Sequence, residues 1–166
     1  IKSFDIKVVV ISTGNNCLGH GPARKIGIKK CSCEFIVIHD SDDVSLPWRI
    51  EKTINTFEDH PELDIFSSTV IEANLITRKI YSKRKLPIRK KEIYKYGLSR
   101  CPFNQQSVAF KKSTIEDCGG YITWHNNEDY FLWIRAIYFS KGINFINLKK
   151  PLVIAHVDNK SFLRRG

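Results

Sequence analysis

Methionine is absent from this 166-residue chain. A chain that opens on Ile1 and holds no Met is expected to be a processed product or a piece of a longer protein. No apolar run approaches the roughly 20 residues that a membrane-spanning helix needs. No leader with a charged start and a short apolar core is visible either. There is no internal repeat and no low-complexity segment. Cysteines are few, odd in number and irregularly spaced, at 17, 31, 33, 101 and 118. Cys31-Ser32-Cys33 is too tight for the usual zinc pair and no second pair answers it, so free thiols, buried or partly buried in a reducing cytosol, are expected. Acid is the scarcer charge: 17 Asp+Glu against 27 Lys+Arg, a formal net charge of +10. That excess favours anionic partners such as nucleic acid, an acidic membrane surface or phosphorylated substrates, without choosing among them.

What is present points to one α/β domain spanning residues 1–166. Its hydrophobic content of 42% and charged content of 27% suit a globular fold. Phe35-Ile36-Val37-Ile38 reads as a strand buried on both faces, and it runs straight into His39-Asp40-Ser41-Asp42-Asp43. Acids at the carboxyl end of a buried strand lie where open α/β sheets bind ligands. Three carboxylates so close repel one another unless a cation sits among them, and Mg²⁺ or Mn²⁺ suits such hard oxygens. The alternative is a solvated acidic turn capping the next helix.

Around this stretch, Ile6 to Ser12 reads as a central strand, followed by a Gly/Asn loop, Thr13 to Pro22, that opens a helix through Ile28. Such a loop can hold phosphate on free backbone N–H groups, or simply make a tight turn. A second helix starts near Ser45-Leu46-Pro47, with Ile50, Ile54 and Phe57 on one apolar face and Arg49 off it. Leu63 to Ile71 reads as the next strand. The alternation of strand and helix predicts a parallel sheet with crossover helices. Residues 78–95 interleave nine Lys and Arg with aromatic and aliphatic residues, which reads as a surface for anionic lipid or phosphate, or as a solvated basic linker. Ser107 to Phe110 is a short strand. Ser113-Thr114-Ile115-Glu116 has the form of a capping box for a helix ending at Gly119-Gly120. Asn126-Asn127-Glu128-Asp129 opens a helix, Tyr130 to Ser140, with Leu132, Trp133, Ala136 and Phe139 apolar. Its two leading acids suit a helix dipole or a site. Ile143–Ile146 and Leu152–Val157 read as two final strands.

A Gly/Asn loop, a strand-end acid cluster and a Glu-Asp pair at a helix start are the parts that sugar transfer needs: charge neutralisation at a diphosphate leaving group, and a carboxylate to take a hydroxyl proton. Gly19-His20-Gly21-Pro22-Ala23-Arg24-Lys25-Ile26-Gly27 resembles the Gly-x-Gly-x-Ala-Arg-Asn-x-Gly stretch of the family 2 inverting glycosyltransferases. Asp40-Ser41-Asp42-Asp43 with the helix after it resembles their Asp-x-Asp-Asp motif. Pro102-Phe103-Asn104, Gly119-Gly120-Tyr121 and Glu128-Asp129-Tyr130-Phe131-Leu132-Trp133 resemble their acceptor-side blocks.

The resemblance implies a GT-A, Rossmann-like, mostly parallel central sheet flanked by helices, N-terminally truncated because the family's first strand-helix-strand is not found before Ile6. It implies Asp129 as general base with Glu128 beside it, and Arg24, Asp40 and Asp42 at the nucleotide-sugar. It also implies Mn²⁺ or Mg²⁺ on Asp42 and Asp43, with His156 approaching from the C-terminal strand. The expected partners are a nucleotide-sugar donor, a UDP-sugar by preference, and a glycan or lipid-linked acceptor. Peripheral contact with an anionic membrane is expected and nucleic acid is not. The implied setting is cell-surface polysaccharide synthesis in the cytoplasm, at the inner face of the plasma membrane. Lys25 departs from the family's Asn, Gln105 stands where close relatives often have His, and the Gln-x-x-Arg-Trp signature of processive synthases is absent, which favours transfer of a single sugar.

Two other readings compete. Asp40 and Asp42 after a strand also fit the nucleophile and acid/base of haloacid-dehalogenase-type phosphatases. A degenerate, non-catalytic basic domain would explain the charge while leaving the acid cluster without a role.

Overall fold

The computed structural model describes residues 7–14, 17–124 and 127–158. Among these, six strands form one mixed sheet: β1 (Phe35–Val37), β2 (Val44–Ser45), β3 (Ile65–Asn74), β4 (Lys79–Arg84), β5 (Ala109–Lys111) and β6 (Phe145–His156). The order is β1-β5-β3-β6-β2, with β4 pairing the far part of β3. Five helices accompany it: α1 (His20–Lys30), α2 (Arg49–Asp59), α3 (Lys90–Gly97), α4 (Lys112–Asp117) and α5 (Glu128–Ile134). A π turn, Arg135–Phe139, continues α5.

The mostly parallel Rossmann-like GT-A sheet expected from the sequence does not form. Only β3 and β6 pair in parallel. The pairs β1·β5, β3·β5, β3·β4 and β2·β6 are all antiparallel. Apolar runs report burial on both faces and carry no information on strand direction, so they could not distinguish these arrangements. The expected first strand also fails. Residues 7–12 lie in no strand, and Val8 and Val10 are 77% and 88% exposed. Ile6 itself lies outside the described residues, as do Asn15, Asn16, Asn126 and the terminal Arg164-Arg165-Gly166. Without that strand, β1 stands at the sheet edge.

Alternate residues along the strands serve opposite faces. Ile65 and Phe110 join a core with Ile28 of α1, Ile93 of α3, Ile115 of α4 and Leu132 and Trp133 of α5. Their neighbours Phe66 and Ala109 turn to the other face, where Phe57 of α2 meets Leu152 and Val153. Phe57 stacks on Phe35 at 4.4 Å between ring centroids.

Local departures have physical causes. The two final strands are one, β6. Ser68 pairs with Leu148 and Val70 with Val153, so residues 149–152 bulge from the ladder and take Pro151 out of it. Trp48 anchors the bulge by donating its indole N–H to the Pro151 carbonyl at 2.9 Å. The basic stretch 78–95 is a strand, β4, and then α3. On α2 the expected apolar face is wrong: Ile50 and Ile54 are 58% and 46% exposed, and Arg49, Thr53, Thr56 and Phe57 are buried. Thr53 and Thr56 hydroxyls donate to the carbonyls of Arg49 and Lys52, which lets them go inside. The capping box is replaced as well. Glu34 accepts from the backbone N–H and hydroxyl of Ser113, while Glu116 pairs with Lys112. Phe139 is 79% exposed instead of buried. All five cysteines are free, with Cys17, Cys31 and Cys33 exposed, Cys101 half-buried and Cys118 buried.

Candidate active site

The acid loop between β1 and β2 lines a cleft of about 560 Å³. Asp40, Ser41, Asp42 and Asp43 form one wall. His20, Ala23 and Arg24 of α1 face them, and Gln106, Ala155 and His156 complete the lining. The start of α1 therefore opens onto the acid loop.

Arg24 ties the site together. Its guanidinium meets Asp40 Oδ1 at 3.1 Å and Glu128 Oε1 at 2.9 Å, and it lies 5.9 Å from the centre of the Tyr121 ring. The contact depends on Gly21, one turn earlier. A Cβ there would run into the Ile122 carbonyl oxygen and approach Glu128 Cβ to 3.1 Å. The missing side chain lets α1 sit against the entry to α5.

Asp43 is half-buried. Its Oδ1 accepts the His156 backbone N–H at 3.0 Å, and its Oδ2 is buried with no hydrogen-bond partner among the described residues. Burial pushes its carboxyl up from the ordinary range, and Asp42 and Asp40 add to the shift. Asp42 is exposed at the rim. His156 uses Nδ1 to accept the Leu75 N–H at 3.2 Å, which leaves Nε2 as the nitrogen open to a ligand. No group of three or more His, Cys, Asp or Glu among the described residues is arranged to hold a metal ion by itself.

Sequence reasoning missed Arg49, which is 1% exposed beneath the acid loop. It donates to the Ile38 carbonyl, to the Gln106 carbonyl at 3.0 Å, to Ser45 Oγ at 3.0 Å and to His39 Nδ1 at 3.1 Å. Burial lowers it to about 10, while Asp43 and Asp40 pull the other way. It fixes the strand end, the loop and the 105–107 turn to one another. The usable signal was the polar stripe Arg49, Thr53, Thr56 at helical spacing.

Asp129 lies in a second cavity of about 240 Å³, with Arg84, Leu86, Tyr96, Arg100, Cys101, Phe103, Asn104, Gln105 and Gln106. Burial raises its carboxyl, the Glu128 charge raises it further, and Arg24 and the Tyr130 N–H at 2.7 Å oppose the rise. Burial likewise pushes the Cys101 thiol up to about 12. Gln106 lines both cavities and is their common wall. Gln105, at the departure position, donates to the Tyr121 hydroxyl at 2.7 Å and so supports the ring beneath Arg24. The structure thus brings Arg24, Asp40, Asp42, Asp43 and His156 to one cleft and places Asp129 in the next, with Glu128 between as the ion-pair partner of Arg24.

The site is thus an acid loop facing the first turn of α1, beside a pocket that holds Asp129. The model of glycosyl transferase family 2 matches residues 1–121, and the chain belongs to that family. It is 37% identical over 147 residues to an uncharacterized glycosyltransferase of Haemophilus influenzae, covering 89% of this chain and 54% of that protein. It is 32% identical over 148 residues to the amylovoran biosynthesis glycosyltransferase AmsE of Erwinia amylovora, covering 89% and 54%. It is also 32% identical over 149 residues to the UDP-Gal:alpha-D-GlcNAc-diphosphoundecaprenol beta-1,3-galactosyltransferase of Escherichia coli, covering 90% and 53%. The chain spans about half the length of these relatives. Among solved structures, S. aureus TarS 1–349 is similar in fold with a TM-score of 0.61 at 16% identity, covering 82% of this chain and 40% of that one. The mannosyltransferase PcManGT of Pyrobaculum calidifontis, in complex with GDP-Man and Mn²⁺, gives 0.60 at 16% identity, covering 91% and 40%. Among the described residues no helix is long and apolar enough to cross a membrane.

Proposed function

We propose that this chain transfers one sugar from a nucleotide-diphosphate donor, a UDP-sugar by preference, to a hydroxyl of a glycan or lipid-linked acceptor with inversion. The observation that carries this reading is the pair of cavities sharing Gln106, one lined by the acid loop and the other holding Asp129. Arg24 and Asp40 position the nucleotide end of the donor, and Asp42 faces its ribose or metal. In the next cavity Asp129 accepts the proton of the acceptor hydroxyl. That oxygen bonds to the anomeric carbon as the bond from this carbon to the β-phosphate oxygen breaks, and the nucleoside diphosphate leaves. One displacement from the opposite face inverts the centre. Glu128, held by Arg24, keeps the start of α5 aligned.

The donor set suits a divalent cation of the Mg²⁺ or Mn²⁺ type. The unpartnered Asp43 Oδ2 and the exposed Asp42 offer two hard carboxylates, and such ions commonly take one or two carboxylates with the rest from substrate phosphates and water. Asp42 and Asp43 would hold it, with His156 Nε2 adjacent, and it would neutralise the leaving diphosphate. The names of AmsE and of the Escherichia coli relative support a setting in cell-surface polysaccharide synthesis. The basic β4–α3 surface supports contact with an anionic inner membrane face.

The test is nucleotide release from UDP- and GDP-sugars with Mn²⁺ and a panel of acceptors, for the wild type and Asp129→Asn. Acceptor-dependent release that the variant lowers by two or more orders of magnitude, with donor binding retained, is the expected result. Equal release by the variant would remove Asp129 as the base.

A further inference from the structure

Among the described residues, Gln106 alone lines both the acid-loop cleft and the Asp129 cavity. Its main chain is fixed from several sides. The Gln106 carbonyl accepts from Arg49 at 3.0 Å, and the Ser107 N–H closes the turn on the Asn104 carbonyl at 2.9 Å. The Ser107 hydroxyl accepts the Ser68 N–H at 3.0 Å, and Asn104 Nδ2 donates to the Ser68 carbonyl at 2.8 Å. The side chain, by contrast, is held at one end only. Arg84 Nη2 donates to Gln106 Oε1 at 3.3 Å. A guanidinium has donors and no acceptor, so it selects the amide oxygen and fixes which end is left over. That end, Nε2, makes no hydrogen bond among the described residues, and Gln106 is half-buried. Gln105 differs, because its Nε2 is spent on the Tyr121 hydroxyl. A half-buried amide with free N–H donors and a set orientation suits a neutral oxygen acceptor such as a hydroxyl.

An inverting displacement places the leaving phosphate oxygen and the attacking hydroxyl on opposite sides of the anomeric carbon. The ring being transferred then lies between the diphosphate cleft and the cavity of the base, beside their common wall. We infer that Gln106 Nε2 donates to a hydroxyl of that ring and is a specificity-determining contact for the donor sugar. The inference rests on the transfer reading, which supplies the two ends. The clamped amide and its place in both linings are independent of that reading. A fixed neutral donor selects by the presence and position of one hydroxyl, because a sugar that does not meet it leaves the amide unpaired.

The test is calorimetric titration in Mn²⁺ of UDP, UDP-glucose, UDP-galactose, UDP-N-acetylglucosamine, GDP and GDP-mannose into wild type and Gln106→Met. Methionine keeps the length of the side chain and removes both amide atoms. The readout is the affinity of each sugar nucleotide divided by that of its own nucleoside diphosphate, which cancels any change in the acid-loop cleft. For the sugar with the highest ratio in wild type, the ratio is expected to fall about tenfold in the variant, the loss of one hydrogen bond. The preference among sugars is expected to flatten accordingly. Affinity for the bare diphosphate is expected to stay within twofold, which shows a folded variant with its cleft intact. A second variant, Arg84→Met, releases the amide without removing it and is expected to lower the ratio less than Gln106→Met does. A ratio that changes less than twofold for every sugar, a loss shared equally by the bare diphosphate, or an equal fall in Arg84→Met would overturn the inference and leave the transfer reading standing. No binding of either diphosphate by the wild type would remove the transfer reading and this contact with it.

Discussion

Arg24 and Glu128, 104 residues apart in sequence, are joined at 2.9 Å, and the same guanidinium reaches Asp40 at 3.1 Å. One side chain therefore couples the acid loop to the helix whose first turn holds the proposed base.

This coupling sets a pH dependence. Arg24 lowers Asp129, and the Glu128 charge raises it. As the proposed base, Asp129 must be ionised to accept a proton, so the acid limb of the rate profile is expected to follow its pKa. Arg24→Gln is expected to move that limb to higher pH and to lower kcat/KM by roughly 10- to 100-fold. Glu128→Gln is expected to move the limb to lower pH. A pH–rate profile of the three proteins checks both signs.

Two glycines on α1 make a matched pair. A Cβ at Gly21 collides with the Ile122 carbonyl, whereas a Cβ at Gly27 meets nothing within 4 Å. Gly27→Ala is expected to stabilise by about 0.5–1 kcal/mol through helix propensity. Gly21→Ala is expected to destabilise by roughly 1–3 kcal/mol and to weaken the Arg24–Glu128 contact. Thermal melts of both variants decide it.

Arg49 is a buried cation whose partners are carbonyls, a hydroxyl and an imidazole. Arg49→Leu strips those carbonyls of donors and takes positive charge from beside Asp43. A loss of about 3 kcal/mol is expected, with Asp43 pushed further up. Chemical denaturation measures the first effect and carboxylate NMR titration the second.

Asp43 is expected to limit stability at neutral pH. Its folded pKa is raised above 3.8, so the native state binds its proton more tightly than the unfolded chain. The contribution of Asp43 to stability is therefore most favourable below the ordinary carboxylate range and falls as pH rises through the folded pKa. Asp43→Asn keeps an oxygen for the His156 N–H and removes the charge. Without metal its Tm is expected to exceed that of wild type by roughly 2 °C at pH 7 and to match it below about pH 4.

The sequence made some of this legible and hid the rest for identifiable reasons. Phe35 to Asp43 announced a strand ending in acids, because clustered charge is written in residue type, but the burial on both faces expected for it is not found: β1 is an edge strand and Phe35 is 46% exposed. The spacing of Glu128-Asp129 before Leu132 and Trp133 placed a carboxylate pair at a buried helix start for the same reason. Strand direction was not readable, since Ile65-Phe66 is equally apolar beside a parallel or an antiparallel neighbour. The α2 face was misread because Thr53 and Thr56 satisfy their own hydroxyls on the preceding turn and can be buried like valines. β4 was hidden because Lys79, Lys83 and Arg84 belong to a strand with a solvated side, where charge does not argue against a strand. The Gln106 wall needed three dimensions: nothing in Asn104-Gln105-Gln106 says that one glutamine supports Tyr121 and the next divides two cavities.

Calorimetric titration of UDP into this chain, with and without Mn²⁺, beside an Asp42→Asn/Asp43→Asn variant, bears most directly on the donor cleft. Binding that requires Mn²⁺ and disappears in the variant is the predicted result. UDP binding that is indifferent to the metal, or unchanged in the variant, would contradict a donor diphosphate held at the acid loop.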